Sequence, residues 1–320
     1  VRREHGVDLG GIVEHDDATP EQLAIKEVGA STYAFDGAAL ASALKQIDRD
    51  NVQGEFYLTD VIGILAKEGV VAGATGDDPI EVLGVNSHDQ LAAVAARMRR
   101  RINTGWMQRG VWMLDPERVY VDAAVTVEPG ARLYPDVHLE GETVVGAGAE
   151  IGPEVYARDS QIGEQAKVWY AVLRGAEVGR RAQVGPYASL RPGTVLGPES
   201  KAGTFVETKA ATIGARSRVP HLSYMGDATV GEDSNIGAGT ITCNYDGYEK
   251  HQTVIGDRVR IGSDTMLVAP LEVGDDAWTG AGSVISKDVS PGALALERSQ
   301  QKEVPGYAAR RAKKADRQEE

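Results

Sequence analysis

The sequence predicts a parallel β-helix of hexapeptide repeats, preceded by a smaller α/β region and joined to it by one long helix. Three observations carry this prediction. Aliphatic residues recur at every sixth position at Val121, Val127, Leu133, Leu139, Val145 and Ile151. The same step returns at Val178, Val184, Leu190 and Leu196, and again at Ile255, Ile261, Leu267 and Val273. Twelve aliphatic positions between 145 and 274 are followed directly by glycine, as in Ile162-Gly163, Ile213-Gly214 and Ile236-Gly237. Glycine supplies 38 of 320 residues and aromatics only 6%, which suits tight turns and thin aliphatic layers. A helix needs a period of 3.6 and an alternating strand a period of 2, whereas a period of six with a small residue at the corner marks a hexapeptide β-helix. Each hexapeptide is one short strand plus a turn, with its aliphatic residue inward and glycine allowing a close bend. Residues 120–290 would make about nine coils of about 18 residues, a prism roughly 45 Å long.

In chain order, residues 1–88 read as mixed α/β. Strand candidates are GGIVEH (10–15), STYAFDG (31–37) and EVLGVN (81–86), and helical apolar spacing covers ALASALKQI (39–47) and DVIGILAKEG (60–69). With no opening βα unit, this reads as the later part of a larger sheet. Residues 89–110 form the linker, helical over 89–109, where helix formers dominate and proline is absent. Its basic patch, Arg97, Arg99, Arg100 and Arg101, reads as a solvated helix face, since no aromatics flank it for nucleic-acid binding. Residues 111–290 carry the β-helix. Residues 291–320 lose the repeat and read as an extended arm with a charged, frayed tail.

Composition narrows the function. A net charge of −13 argues against nucleic acid and against an anionic membrane surface. A small anionic substrate would need a local cluster of Lys and Arg. The single cysteine, Cys243, allows no disulfide framework and no cysteine zinc site, which fits a reducing cytoplasm. No run of about 18 apolar residues and no signal-peptide pattern occurs, so no membrane insertion is expected.

The repeat is broken once by a polar excursion, in NIGAGTITCNYDGYEK (235–250). The expected aliphatic steps fall on Thr242 and Tyr248, so the chain is expected to leave the prism wall there, with Asn244, Tyr245, Asp246 and Lys250 in the loop. Arg191 and Lys209 are 18 residues apart and should stack. Two stacked cations invite a phosphate, while a salt-bridged ladder with Glu207 is the other open reading. His221, in VPHLSYMGD, could move protons near neutrality or serve the scaffold; Tyr224 nearby favours the first. Paired histidines suited to zinc are absent from the repeat, which holds only His138, His221 and His251. Ser263 and Ala281, also 18 apart, should leave a groove on one edge. Cys243 lacks an evident activating partner and reads as a small packing residue.

Together LRPGT (190–194), FVETK (205–209), HLSYMGDA (221–228), NIGAGTITCNYDG (235–247) and GSDTMLVAP (262–270) resemble the bifunctional GlmU family. That family joins glucosamine-1-phosphate acetyltransferase to N-acetylglucosamine-1-phosphate uridyltransferase. The resemblance implies a left-handed β-helix that forms a homotrimer and takes acetyl-CoA and glucosamine 1-phosphate, for UDP-N-acetylglucosamine and cell-envelope synthesis. It makes His221 the catalytic base. It assigns Arg191, Lys209, Tyr224, Asn235 and Lys250 to the phosphosugar. It assigns Ala238, Asn244, Tyr245, Ser263, Ala281 and Arg298 to acetyl-CoA. In the first region, a Rossmann-like nucleotidyltransferase remnant, Glu14 of GIVEHDDAT matches a nucleotide-sugar contact and Asn86 of GVN a Mg²⁺ ligand. The family's glycine-rich nucleotide loop and Mg²⁺-binding aspartate are not found in the chain, and an Asn-x-Gly contact reads here as Gly29-Ala30-Ser31. The expectation is therefore an acetyltransferase without uridyl transfer. Alternatives are a hexapeptide acyltransferase with another phosphorylated acceptor, or a non-catalytic assembly subunit.

Overall fold

The computed structural model describes residues 2–4, 8–69, 71–74 and 82–316, which fall into two compact units, Val1–Arg97 and Met98–Glu320. The first unit pairs strand Arg2–Glu4 antiparallel with Asp8–Gly11 and adds helices α1 (Pro20–Leu23), α2 (Gly37–Ala43) and α3 (Asp60–Glu68). Thr19 and Gln22 close a capping box on α1, and the Asp36 carboxylate accepts the N–H groups of Ala38 and Ala39 at the start of α2. Helix α3 buries Val61 and Ile62. Two expected strands are corrected: residues 31–36 and 83–86 are irregular, residue 82 is in a 3-10 turn, and residue 81 lies outside the described residues. An extended segment becomes a strand only beside a partner, and among the described residues none pairs with either. The strand expected at 10–15 lies at Asp8–Gly11.

Helix α4 (His88–Gln108) takes up residues 89–108 of the expected linker, and 109–110 form a turn. Its basic patch is more than a solvated face. Arg100 pairs with Glu117 at 3.2 Å, and Arg99 lies 4.7 Å over the Tyr120 ring, whose other neighbour is His138 at 4.3 Å. Buried Asn103 donates to the carbonyls of Pro116 (2.7 Å) and Val119 (2.8 Å), which ties the helix to the first coil.

From Trp112 to Ala295 the chain is a parallel β-solenoid. One face is an eleven-stranded stack running from Trp112–Met113 to Leu294–Ala295. A second runs through Val137–Glu140, Val155–Arg158, Ala171–Arg174 and Ala188–Leu190, and a third through Val144–Val145, Gln161–Ile162 and Glu177–Val178. The seven-residue strands Glu207–Ile213 and Tyr224–Val230 run round the corner between the second and third faces. The six-residue step ends up inside: Leu133, Leu139, Val145, Ile151, Val184 and Leu267 are all fully buried. Glycine after the aliphatic residue is required by the neighbouring coil as much as by the bend. A Cβ on Gly179 would sit 2.7 Å from the Leu196 carbonyl oxygen.

Two further expectations change. Thr242 does not leave the wall. It is buried in strand Ile241–Cys243, where its hydroxyl meets the N–H (2.8 Å) and carbonyl (3.0 Å) of Gly226. The departure begins at Asn244, and the chain rejoins at strand Thr253–Ile255, with Tyr248 fully open to solvent between them. The expected frayed tail contains helix α5 (Tyr307–Asp316), built from Ala, Arg and Lys, and residues 317–320 lie outside the described ones.

One corner carries an alternating charge ladder along the prism: Arg181, Glu199, Arg216, Asp233, Arg258 and Asp276. Arg216 donates to Asp233 at 2.8 and 2.7 Å, and Arg258 to Asp276 at 2.8 Å twice. Hydrogen bonds from these guanidinium groups hold the carboxyls of Glu199, Asp233 and Asp276 below their usual values. A carboxyl depressed by folding stabilises the fold above its unfolded value, about 4, and that contribution is lost as pH falls through the folded value. The melting temperature of Arg216→Ala should therefore lie below wild type at pH 7, with the gap closing as the pH drops below about 4. A gap that persists there would mean the ladder acts by packing.

Candidate active site

Two edges of the second face concentrate the predicted residues. The first edge is built by the backbone. His221 ends strand Arg218–His221, and its carbonyl accepts the Gly239 N–H at 3.4 Å. The Ala238 carbonyl accepts from Asp264 (2.7 Å) and the Ser263 carbonyl from Gly282 (2.8 Å). His221, Ala238, Ser263 and Ala281 thus follow one another along a single corner, and Arg298 Nη1 donates to the Ala281 carbonyl at 3.2 Å at its far end. The His221 imidazole is exposed and hydrogen-bonds to none of the described residues, which leaves both ring nitrogens available to a ligand.

The second edge collects the cations. Leu190 pairs with Thr208, which puts Arg191 and Lys209 next in register, as their spacing predicts. Both cations meet carboxylates, as the salt-bridge reading expects. Arg191 Nη1 donates to Glu207 Oε1 at 2.9 Å, the anticipated salt bridge, while Lys209 turns to Asp227 at 3.1 and 3.2 Å. Asp227 also accepts from Asn244 Nδ2 at 2.5 Å. Lys250 joins them from the loop, where it bridges antiparallel to Tyr245.

The electrostatics follow from this crowding. Contact with Lys250 and then with Asp227 raises Lys209 above the usual lysine value. The same contact lowers Lys250, helped by the Coulomb fields of Lys209 and Arg191. Burial pushes the Asp227 carboxyl up, but the hydrogen bonds from Lys209 and Asn244 outweigh it and leave it below normal. Three cations around two carboxylates leave a surplus of positive charge, an arrangement that a phosphate would complete.

Asp227 was not singled out by the sequence reading. The available signal was its position, 18 residues beyond Lys209 just as Lys209 is 18 beyond Arg191. Tyr224 lies on the face between the two edges, in register with Glu207 and Ile241. It lies three positions after His221 and three before Asp227. Asn235 is placed elsewhere: it pairs with Arg218 and Arg260 on the first face, and no hydrogen bond joins its side chain to the cations. Tyr245 is exposed and donates to the Gly247 carbonyl at 2.6 Å. Within the loop, Asp246 accepts from Tyr248 (2.8 Å), Glu249 (2.7 Å) and His251 Nε2 (2.7 Å), so its carboxyl lies far below normal and the turn is held closed. Half-buried Cys243 pairs with Val268 in its strand.

In the first unit, Glu14 accepts from Thr59 Oγ1 at 2.8 Å beside a cavity of 620 Å³ also lined by Gly29, Ser31 and Tyr33. Asn86 is exposed, and its backbone N–H donates to Gln90 Oε1 at 2.7 Å. Among the described residues no group of three His, Cys, Asp or Glu side chains is placed to hold a metal ion. No described helix is long and apolar enough to cross a membrane.

The chain is 48% identical over 301 residues to the bifunctional protein GlmU of Streptomyces avermitilis, a match covering 94% of this chain and 62% of that protein. It is 50% identical over 301 residues to GlmU of Streptomyces coelicolor, with the same coverage, and 48% identical over 311 residues to GlmU of Paenarthrobacter aurescens, covering 97% and 62%. The chain thus spans about three fifths of the length of the curated relatives it matches. No family model matches. Among solved structures, the UDP-N-acetylglucosamine acyltransferase of Francisella novicida aligns at 14% identity and TM-score 0.37 over 61% of this chain and 72% of that one. The UDP-N-acetylglucosamine O-acyltransferase of Moraxella catarrhalis aligns at 19% and 0.34 over 61% and 76%.

Proposed function

Because the chain belongs to the GlmU family, we propose that its solenoid transfers the acetyl group of acetyl-CoA to the 2-amino group of glucosamine 1-phosphate. The observation that carries this reading is the convergence of Arg191, Lys209 and Lys250 at one edge of the face whose other edge bears His221. Phosphate on the cations places the sugar across Tyr224, with its amino group toward the imidazole. A 2-ammonium group has no lone pair, so it cannot attack a thioester until a base removes its proton. His221 accepts that proton. The freed amine attacks the acetyl carbonyl carbon, the C–S bond breaks, and coenzyme A leaves as a thiolate that takes up the second proton lost by the nitrogen as it becomes an amide. Ala238, Ser263, Ala281 and Arg298 line the groove for acetyl-CoA, with Asn244 and Tyr245 at its flank. The corner's backbone N–H groups are available to the oxyanion.

We assign a homotrimer, the arrangement implied by the family resemblance, in which the loop of residues 244–252 can meet the face of a neighbouring copy. The cytoplasm is the expected compartment. Glu14 and Asn86 remain the only predicted uridyl-transfer contacts, and no step is derived through Mg²⁺.

The deciding experiment follows thiol release from acetyl-CoA with glucosamine 1-phosphate, glucosamine and other phosphorylated amines. Release with glucosamine 1-phosphate well above the rest is expected. Preference for a different phosphorylated acceptor would reassign the substrate, and no release with any acceptor would leave an assembly role.

A further inference from the structure

The phosphate-binding edge does not end at Arg191. Arg158 pairs in register with Arg174, and Leu173 with Leu190, so Arg174 falls opposite Arg191, which in turn falls opposite Lys209. Four cations therefore occupy four consecutive rungs of one column, about 4.8 Å apart. A chain of net charge −13 has gathered them on one line. The column runs toward the N-terminal coils, away from the Ala238–Ser263–Ala281 corner, so an occupant of it would not obstruct that groove.

The charges facing the column are unevenly placed. Arg158 contacts Asp159 at 3.5 Å, Arg191 contacts Glu207 and Lys209 contacts Asp227, while the Glu140 carboxylate accepts the Tyr156 hydroxyl at 2.7 Å. Arg174, in the middle, has no carboxylate within salt-bridge distance among the described residues. Its guanidinium lies 5.5 Å from the centre of the Tyr156 ring. Stacking on a ring fixes the plane of a guanidinium while leaving its N–H fork unspent, which suits bidentate contact with a phosphoryl group. A single phosphate on Arg191 and Lys209 cannot also engage Arg174 and Arg158. A second and third phosphoryl group, linked at about 3 Å per step, can.

We infer that the column Arg158–Arg174–Arg191–Lys209 binds anions carrying two or more linked phosphoryl groups, in competition with the phosphosugar. The inference rests on the assignment of Arg191 and Lys209 as a phosphate site. Such a site would let a polyphosphorylated compound, for example a nucleoside diphosphate ester, restrain acetyl transfer without displacing acetyl-CoA.

The test is titration calorimetry of the full chain with inorganic tripolyphosphate and, separately, orthophosphate. Tripolyphosphate should bind at least tenfold more tightly, since each added charge-assisted contact contributes a few-fold at an exposed site. Arg174→Ala should reduce tripolyphosphate affinity about fivefold and orthophosphate affinity less than twofold. Arg180→Ala, a cation outside the column, should change neither. Equal affinity for the two anions, or an unchanged tripolyphosphate affinity in Arg174→Ala, overturns the inference. A parallel titration with ADP identifies the source: tighter binding than tripolyphosphate assigns the column to nucleotides, weaker binding to free polyphosphate. Calorimetry reads binding whether or not the chain acetylates. Selective tripolyphosphate binding without any acetyl transfer would therefore retain the column and remove the proposed reaction.

Discussion

Replacing His221 by alanine is expected to lower acetyl transfer by roughly 10²–10⁴-fold, the usual worth of a positioned general base. Binding should survive, because in the proposed reaction the substrates are held elsewhere: the phosphate at the cation edge and acetyl-CoA along the corner. KM values within about threefold of wild type are expected, with the whole loss in kcat. The fold should also survive, because the His221 ring is exposed and makes no hydrogen bond to a described residue, while its backbone position in strand Arg218–His221 needs no particular side chain. Steady-state thiol release, read beside thermal melting, separates these effects. Turnover near the wild-type level in a variant that melts normally would remove His221 from the reaction.

Asp227→Ala is the second large effect, and it concerns a residue that touches neither reacting atom. The Asp227 carboxylate holds both Lys209, proposed for the phosphate, and Asn244, proposed for acetyl-CoA, which would make it a positioning residue shared by the two substrates. Among the described residues, its removal leaves Glu207 as the one carboxylate paired with any of Arg191, Lys209 and Lys250, and it frees the base of the loop. A shift of about 1 Å in a positioning group can cost about 100-fold in rate, so kcat/KM is expected to fall by roughly 30-fold or more. The KM values for both substrates should rise, unlike in His221→Ala. Asp227→Asn keeps an acceptor oxygen for Asn244 but loses the charge that Lys209 pairs with, so it should recover the acetyl-CoA KM more fully than the phosphosugar KM. If Asp227→Ala raised only one of the two KM values, the shared role would fail.

These variants also mark how far the residues could be read without coordinates. The six-residue step was sufficient for the solenoid, because only a short strand closing on itself three times per coil brings Leu133, Leu139, Val145 and Ile151 all to the inside. The stacked cations were legible for the same reason: between Arg191 and Lys209 the coil has its regular 18 residues. In the first unit the reading was weaker. Extended segments such as 31–36 are assigned by whether a partner lies beside them, and local composition carries no information on that.

The sequence by itself determined the repeat, the inward aliphatic column, the position of the polar loop and the residue types that bear the proposed chemistry. It could not determine which residues share an edge once the coil length changes. His221 and Ala238 are 17 positions apart and Ala238 and Ser263 are 25 apart, so neither interval shows the step of 18, yet backbone hydrogen bonds place all three on one corner. The loop also displaces the polar residues from their expected steps, since Thr242 stays in the wall and Asn244 turns back to Asp227. The physical reason is that register in a solenoid is set coil against coil by backbone hydrogen bonds. Those bonds absorb a deleted residue at a corner, or expel an inserted loop, without disturbing the stack.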